Sequence, residues 1–354
     1  MMDPKFDEIA LKDWFNKQKR SLPWRNNPSP YAVWVSEVML QQTQVAVVIP
    51  YFQRWMQLFP TIEALATAPL DEVIKAWEGL GYYSRARNLH AGASVVLSHY
   101  DGKLPIEASE LAKVKGIGPY TVGAIRSFAF HQKAAAVDGN VMRVLARYYN
   151  IEEDICQPKT LKKIWYLAEE ILPENESWVL TEGLIELGAT VCTKKPKCLH
   201  CPLKKTCQGY IQGTTDELPY KSIKMKTEKL YRAVAVVRNS AGKILVKHVQ
   251  TGKVMSGLHE FPYFESPSDG IDSEELVNQI KEQLGLKVLW KGGLPKIQHS
   301  FTRFQVSLFP HNFHCRDECE VSDFQWMSAE DMKKIAFSSG HRRLYEMIKN
   351  KCIF

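Results

Sequence analysis

The chain has 354 residues, 45% of them hydrophobic, with a formal net charge of +7. That length suits two cores rather than one, and no apolar run is long enough to span a bilayer. The basic balance favours a polyanionic partner without naming one. The first residues carry no charged-then-apolar leader, so nothing suggests export and the expectation is a cytoplasmic protein with no membrane contact.

Apolar residues recur at helical spacing from Phe6 to Lys19 (Phe6, Ile9, Ala10, Trp14, Phe15). Leu22-Pro23-Trp24-Arg25 and Asn27-Pro28-Ser29-Pro30 then read as a loop. Pro30 is placed to open a helix, where its missing N–H costs nothing, and this helix is predicted to run through Trp34, Glu37 and Leu40 to about Gln44. Further helices are predicted at Tyr51–Phe59, Ile62–Ala66, Asp71–Glu78, Ala86–Ser98 and Glu107–Lys113, separated by Gly and Pro. Strand patterns are scarce before about Tyr231, so the first two-thirds read as all-α. Gly213 to Lys229 is polar and Lys-rich, the composition of an exposed linker. Beyond it, Ala233–Val237 and Ile244–Val246 are β-type runs joined by an Asn239–Gly242 hairpin signal. A helix at Glu274–Leu284 ended by Gly285, and strands at Gln305–Phe309 and Asp323–Met327, make the last third α+β. The chain has no internal repeat.

Leu111 to Ala124 reads LAKVKGIGPYTVGA, a helix, a Gly116-Ile117-Gly118 turn and a second helix from Pro119, framed by Leu111, Val114 and Val122. Two glycines permit positive φ and close backbone approach. The turn amides and the next helix N-terminus form an anion site suited to one DNA phosphate, without sequence information. The plain alternative is a helix corner with a glycine cap.

Val137-Asp138-Gly139-Asn140-Val141-Met142-Arg143 follows this hairpin. With it come Leu22-Pro23-Trp24-Arg25, Val35-Ser36-Glu37-Val38-Met39-Leu40-Gln41-Gln42-Thr43, Trp77-Glu78-Gly79-Leu80-Gly81-Tyr82-Tyr83-Ser84-Arg85 and Gly183-Leu184-Ile185-Glu186-Leu187-Gly188-Ala189. On this set the chain resembles the helix-hairpin-helix DNA glycosylase superfamily and, within it, the adenine DNA glycosylases of the MutY type, over most of residues 10 to 210. The resemblance implies a multidomain chain. An all-α glycosylase domain with an iron–sulfur loop spans 1–213, its six-helix barrel about 25–133 and its cluster part about 134–213 with the N-terminal helix. A 214–229 linker and a 230–354 α+β Nudix-like domain follow.

Read singly, Asp138 is an ordinary helix N-cap and Glu37 a solvated helix residue. Cleavage of an N-glycosidic bond needs one group to protonate the departing base and another to stabilise the positive sugar, and two carboxylates with separated pKa values divide that labour. Glu37, beside Val33, Val38 and Leu40, is the candidate general acid, and Asp138, at a helix N-terminus, is expected to stay ionised. The resemblance implies the same assignment, with Glu37 protonating adenine N7 and Asp138 facing the sugar or forming a covalent intermediate, supported by Tyr120 and Asn140. It further implies an adenine pocket of Arg25, Glu182, Trp24 and Leu40, and duplex contacts from Gln42, Thr43 and Tyr82 beside Gly116 and Gly118. Related bifunctional enzymes place a Lys at position 120, an amine able to form a Schiff base. Tyr120 therefore points to a mainly monofunctional hydrolase; the alternatives are a bifunctional glycosylase/lyase and a non-catalytic DNA-damage binder.

Of eight cysteines, four (Cys192, Cys198, Cys201, Cys207) lie close together and four (Cys156, Cys315, Cys319, Cys352) are scattered. Four thiolates hold a zinc ion or a [4Fe–4S] cluster, and spacing alone does not separate the two. The resemblance implies the cluster, although Thr193–Lys197 makes the first gap five residues where the family has six. Lys194 and Lys195, with Lys197, Lys204 and Lys205, are candidate phosphate contacts. In the Nudix-like domain, Asn278–Gly285 keeps only Glu282 of the acidic Mg²⁺-binding positions, so no nucleotide hydrolysis is expected. His259-Glu260-Phe261-Pro262 replaces the Trp of a W-E-F-P segment. Phe301-Thr302-Arg303 stands where the family reads the lesion with Phe-Ser-His. The implied partner is double-stranded DNA holding adenine opposite 8-oxoguanine or guanine, bound by a nucleoid-associated, bacterial-type monomer.

Overall fold

The structure, a computed structural model, describes residues 5–26, 28–223, 226–250, 255–316 and 319–350. Asn27 of the first loop, linker residues 224–225 and Cys352 lie outside them. In chain order the elements are α1 (Glu8–Gln18), a 3-10 turn (Pro23–Arg25), α2 (Pro30–Leu40), α3 (Val45–Leu58), α4 (Ile62–Thr67), α5 (Leu70–Ala76), α6 (Ser84–His99), α7 (Ala108–Leu111), α8 (Pro119–Ala124), α9 (Gly139–Tyr148), α10 (Pro158–Glu170), α11 (Ser177–Thr190) and α12 (Gln208–Ile211). There follow β1 (Glu228–Asn239), β2 (Ile244–His248), β3 (His259–Glu260), β4 (Tyr263–Glu265), α13 (Ser273–Leu284), β5 (Val288–Gly293), β6 (Ile297–Phe301), β7 (Phe304–Cys315), β8 (Phe324–Met327), α14 (Ala329–Lys334) and α15 (Ser339–Asn350).

Contacts divide the chain into two compact units, Met1–Thr67 with Asn88–Lys224, and Ala68–Arg87 with Met225–Phe354. In the first, α1, α9, α10 and α11 share a core that includes Leu11, Val144, Leu145, Tyr148, Ile164, Leu180 and Leu184. Each such buried side chain contributes roughly 1.5–3 kcal/mol. Its helix ends differ from the periodic reading. The chain leaves α2 at Leu40 rather than Gln44, because Gln42 adopts φ 57°. Helix α3 starts at Val45 rather than Tyr51 and carries Pro50 inside it.

In the second unit an eight-stranded sheet runs β3-β2-β1-β7-β5, with β4 on β1, β6 on β7 and β8 on β2. Side chains alternate across β1 with a period of two. Ala233, Ala235 and Val237 pack with Leu276 and Ile280 of α13, whereas Val234 and Val236 pack with Leu344, Tyr345 and Ile348 of α15. Parallel pairing of β1 with β7 runs from Glu228↔Phe304 to Asn239↔Cys315, so β1 takes in the last two residues read as linker, and β7 extends well past the predicted Gln305–Phe309. Gly285 ends α13 at φ 70°, as its sequence position predicts. Ala68–Arg87 groups here although its helical pattern continues the α-rich region. Glu78 explains why: Oε1 accepts the Phe337 N–H (2.8 Å), while Oε2 pairs with Lys75 (2.7 Å) and Arg342 (3.1 Å).

Candidate active site

Helix α2 begins with Pro30 behind Ser29, whose Oγ accepts the Ala32 N–H at 3.1 Å. Every residue from Tyr31 to Met39 is buried, so Glu37, 6% exposed, sits in a wholly buried and mostly apolar stretch of helix. The hairpin holds Gly116 at φ 88°, where a Cβ would lie 2.9 Å from Cβ of Asn88. Gly118 departs from the two-glycine reading: its φ is −92° and open space surrounds it, so it serves as the uncrowded N-cap of α8. Pro119 opens α8 and sends Tyr120 back to donate its O–H to Glu37 Oε2 at 2.5 Å.

Asp138 caps α9. Its Oδ1 accepts the N–H groups of Asn140 (2.9 Å) and Val141 (2.8 Å), and its Oδ2 accepts Asn140 Nδ2 (2.7 Å). Arg143 donates to Asn140 Oδ1 and to the Gly188 carbonyl, both at 2.8 Å. Gly188 is required where α11 crosses α9, since a Cβ there would lie 2.6 Å from Cβ of Asn140. Arg25, in the 3-10 turn, pairs with Glu182 (2.8 Å) and Glu186 (3.0 Å), one turn apart on α11.

These groups face one cavity of about 500 Å³, lined by Trp24, Arg25, Glu37, Leu40, Gln42, Thr43, Tyr120, Asp138, Asn140 and Glu182 among others. All ten were singled out from sequence. Arg20 and Glu186 also line it and were not. A space of this size, mixed in polarity, suits a small organic ligand or an extruded base.

Burial pushes the Glu37 carboxyl up to about 7, a rise opposed by the Tyr120 hydrogen bond and Arg25 and reinforced by Asp138 and Glu182. Asp138 was expected to stay ionised at its helix N-terminus, and its surroundings act on it in both directions. Burial raises its pKa as well, and the Val141 and Asn140 donors and Arg143 only oppose that rise. Burial, then the neighbouring Glu37 and Asp138, raise Tyr120 well above its ordinary value, so it remains an O–H donor.

The other expected positions lie elsewhere. Tyr82, at φ 48° and solvent-exposed, belongs to the second unit, with the Arg85 guanidinium 5.7 Å from its ring. Thr302 takes φ 47° at the tip of the β6–β7 hairpin, closed by the Phe301↔Phe304 pair. Arg303 is 60% exposed, pairs with Glu228 at 3.5 Å and lies 5.1 Å from the Phe304 ring. Lys194 and Lys195 are exposed beside the cysteine loop.

Cys192, Cys198, Cys201 and Cys207 line one small pocket with Arg147. Sequence reasoning missed Arg147. It is buried and ties down the loop, donating to the carbonyls of Thr193 (2.6 Å), Lys194 (3.3 Å) and Leu218 (2.9 Å) and to Cys192 Sγ (3.4 Å). Among the described residues no set of three His, Cys, Asp or Glu is gathered closely enough to hold a metal ion. Four cysteines around one pocket with a buried cation beside them suit an anionic, thiolate-ligated group wider than one ion. No described helix is long and apolar enough to cross a membrane.

Residues 35–170 match the HhH-GPD superfamily of base excision DNA repair proteins, and residues 233–347 match a NUDIX domain. Adenine DNA glycosylase of Mus musculus is 32% identical over 406 residues, covering 96% of this chain and 77% of its own. That of Buchnera aphidicola subsp. Acyrthosiphon pisum is 35% identical over 307 residues, covering 86% and 85%. Among solved structures, a thermostable thymine-DNA glycosylase overlays with a TM-score of 0.53 at 29% identity, covering 58% of this chain and 95% of its own. An endonuclease III trapped on DNA shares the fold, with a TM-score of 0.51 at 24% identity over 58% of this chain and 94% of its own. The expected pairing of a helical glycosylase domain with a Nudix-like domain is thereby borne out.

Proposed function

This chain belongs to the adenine DNA glycosylase family, and from that premise we propose that it hydrolyses the N-glycosidic bond of adenine opposite 8-oxoguanine or guanine. The observation that carries the reading is the Tyr120–Glu37 hydrogen bond opening onto the same cavity as capped Asp138. A base must leave the stack to enter such a cavity. Protonated Glu37 donates to adenine N7 as the C–N bond breaks with its electron pair moving to the base. Asp138, aimed by Asn140 and two backbone N–H groups, stabilises the oxocarbenium ion or adds to it as an ester that water then opens. Free adenine and an abasic sugar result. Arg25 and Glu182 supply a donor and an acceptor for the base edge, with Trp24 and Leu40 as apolar walls.

The Gly116–Gly118 turn fits a backbone phosphate, with Lys194 and Lys195 as further phosphate contacts and Gln42, Thr43 and Tyr82 as duplex contacts. Positive φ at Gln42 and Tyr82 is the strained backbone that often marks working positions. Phe301, Thr302 and Arg303 would read the opposite base, Arg303 as a permanent cation. Cys192, Cys198, Cys201 and Cys207 would hold a [4Fe–4S] cluster. The site of action is the cytoplasm.

A duplex with adenine opposite 8-oxoguanine tests this reading. Strand breaks appearing only after alkali support it, because Tyr120 offers no amine for a Schiff base. Breaks without alkali favour the lyase alternative, and no breaks under either condition favour a non-catalytic binder.

A further inference from the structure

Glu186 stands out among the cavity residues. Its side chain is 1% exposed, one helical turn beyond Glu182. Oε1 accepts Arg20 Nε at 2.6 Å and the Arg20 backbone N–H at 3.3 Å. Oε2 accepts Arg20 Nη2 at 3.2 Å and Arg25 Nη2 at 3.0 Å. Arg25 is thereby fixed through all three nitrogens, Nη2 to Glu186, Nη1 to the Arg20 carbonyl at 3.1 Å and Nε to Glu182 at 2.8 Å, with one N–H on each Nη left to donate. A buried carboxylate costs several kcal/mol unless paired, so a scaffold with no use for the charge would place an apolar side chain here. Two arginines and two glutamates also make this wall electrically neutral. That matters because Arg25 favours ionised Glu37 whereas Glu182 disfavours it.

We propose that Glu186 is a positioning residue for base excision, forking Arg20 and Arg25 so that Arg25 and Glu182 are held rigidly against the extruded adenine on a wall of no net charge. This rests on the adenine-excision reading above. Removing the Glu186 charge leaves the wall one unit more positive, which favours ionised Glu37. The alkaline limb of the excision rate then moves to lower pH, and the positioning role itself is read in binding that weakens only when the adenine is present.

The test uses full-length Glu186→Gln and two duplexes with 8-oxoguanine in the partner strand, one holding a non-cleavable adenine nucleotide analogue and one a tetrahydrofuran abasic analogue. The expected result is roughly tenfold weaker binding of the adenine-analogue duplex, the effect of about one charge-assisted hydrogen bond, with the abasic-analogue duplex bound as by the wild type. Equal weakening on both duplexes with an unmoved pH limb, or no change on either, overturns the proposal. Should Glu186→Gln fail to fold, Arg20→Lys keeps the charge but loses the fork. It predicts the same selective loss with the pH limb in place, and wild-type binding of the adenine analogue by this variant overturns the proposal. Wild-type protein that releases no adenine would instead sink the underlying reading.

Discussion

Glu37 gives the sharpest prediction, because its burial fixes both a sign and a size. An ordinary glutamate near 4.5 is pushed to about 7 here. At pH 8, a carboxyl at about 7 is protonated in roughly one molecule in ten, and one at 4.5 in about one in three thousand; burial thus supplies on the order of 300-fold more active acid. Single-turnover adenine release by the wild type should therefore fall about tenfold per pH unit above pH 7. Glu37→Gln should lose that limb and run roughly 10²–10⁴-fold slower. Tyr120→Phe removes the O–H that favours ionised Glu37, so its limb should move to higher pH. Stability follows the same group. Its folded pKa lies above the unfolded value, so its contribution is complete below about pH 4.5 and lost as pH rises through about 7. The cost by pH 8 is roughly 3 kcal/mol, and Glu37→Gln should melt higher than the wild type there while matching it near pH 5. A wild-type rate that is flat from pH 6 to 9, or a limb surviving in Glu37→Gln, would refute the assignment.

Asp138→Asn keeps an oxygen to cap α9 but sets its amide NH2 against Asn140 Nδ2, so it should melt somewhat lower and still bind duplex in thermal and titration assays while excision is lost. Gly188→Ala drives a Cβ to 2.6 Å from Asn140 Cβ; chemical denaturation should show a loss of roughly 1–3 kcal/mol, and excision should fall as Asn140 shifts from Asp138. Purified wild type should contain about four irons per chain, measured by metal analysis and visible absorption, and Cys198→Ala should lose them. The full chain should release no pyrophosphate or phosphate from nucleoside triphosphates with Mg²⁺, because the α13 acidic set is degraded.

Much of the site was legible in sequence where local chemistry marks it. Asp138 precedes a helix as an N-cap does, and Pro119 fixes where Tyr120 starts α8. The pairing of Arg20 with Glu186 was not legible, although Glu186 lies in the Gly183–Ala189 segment, since it joins positions 166 residues apart. Arg147 was hidden likewise, since the partners it holds lie 45 to 71 positions away. Pro50 misled the reading of α3, because a proline past the first turn usually ends a helix and the buried Val48, Phe52 and Trp55 override that preference here. The grouping of Ala68–Arg87 with the C-terminal residues depends on Glu78 meeting partners some 260 positions away, which no periodicity encodes.

The most direct test measures free adenine by chromatography after incubating wild type, Glu37→Gln and Asp138→Asn with a duplex holding adenine opposite 8-oxoguanine. The account predicts stoichiometric adenine and an abasic strand from the wild type and little from either variant. Wild-type rates from Asp138→Asn, or no adenine from the wild type, would contradict it.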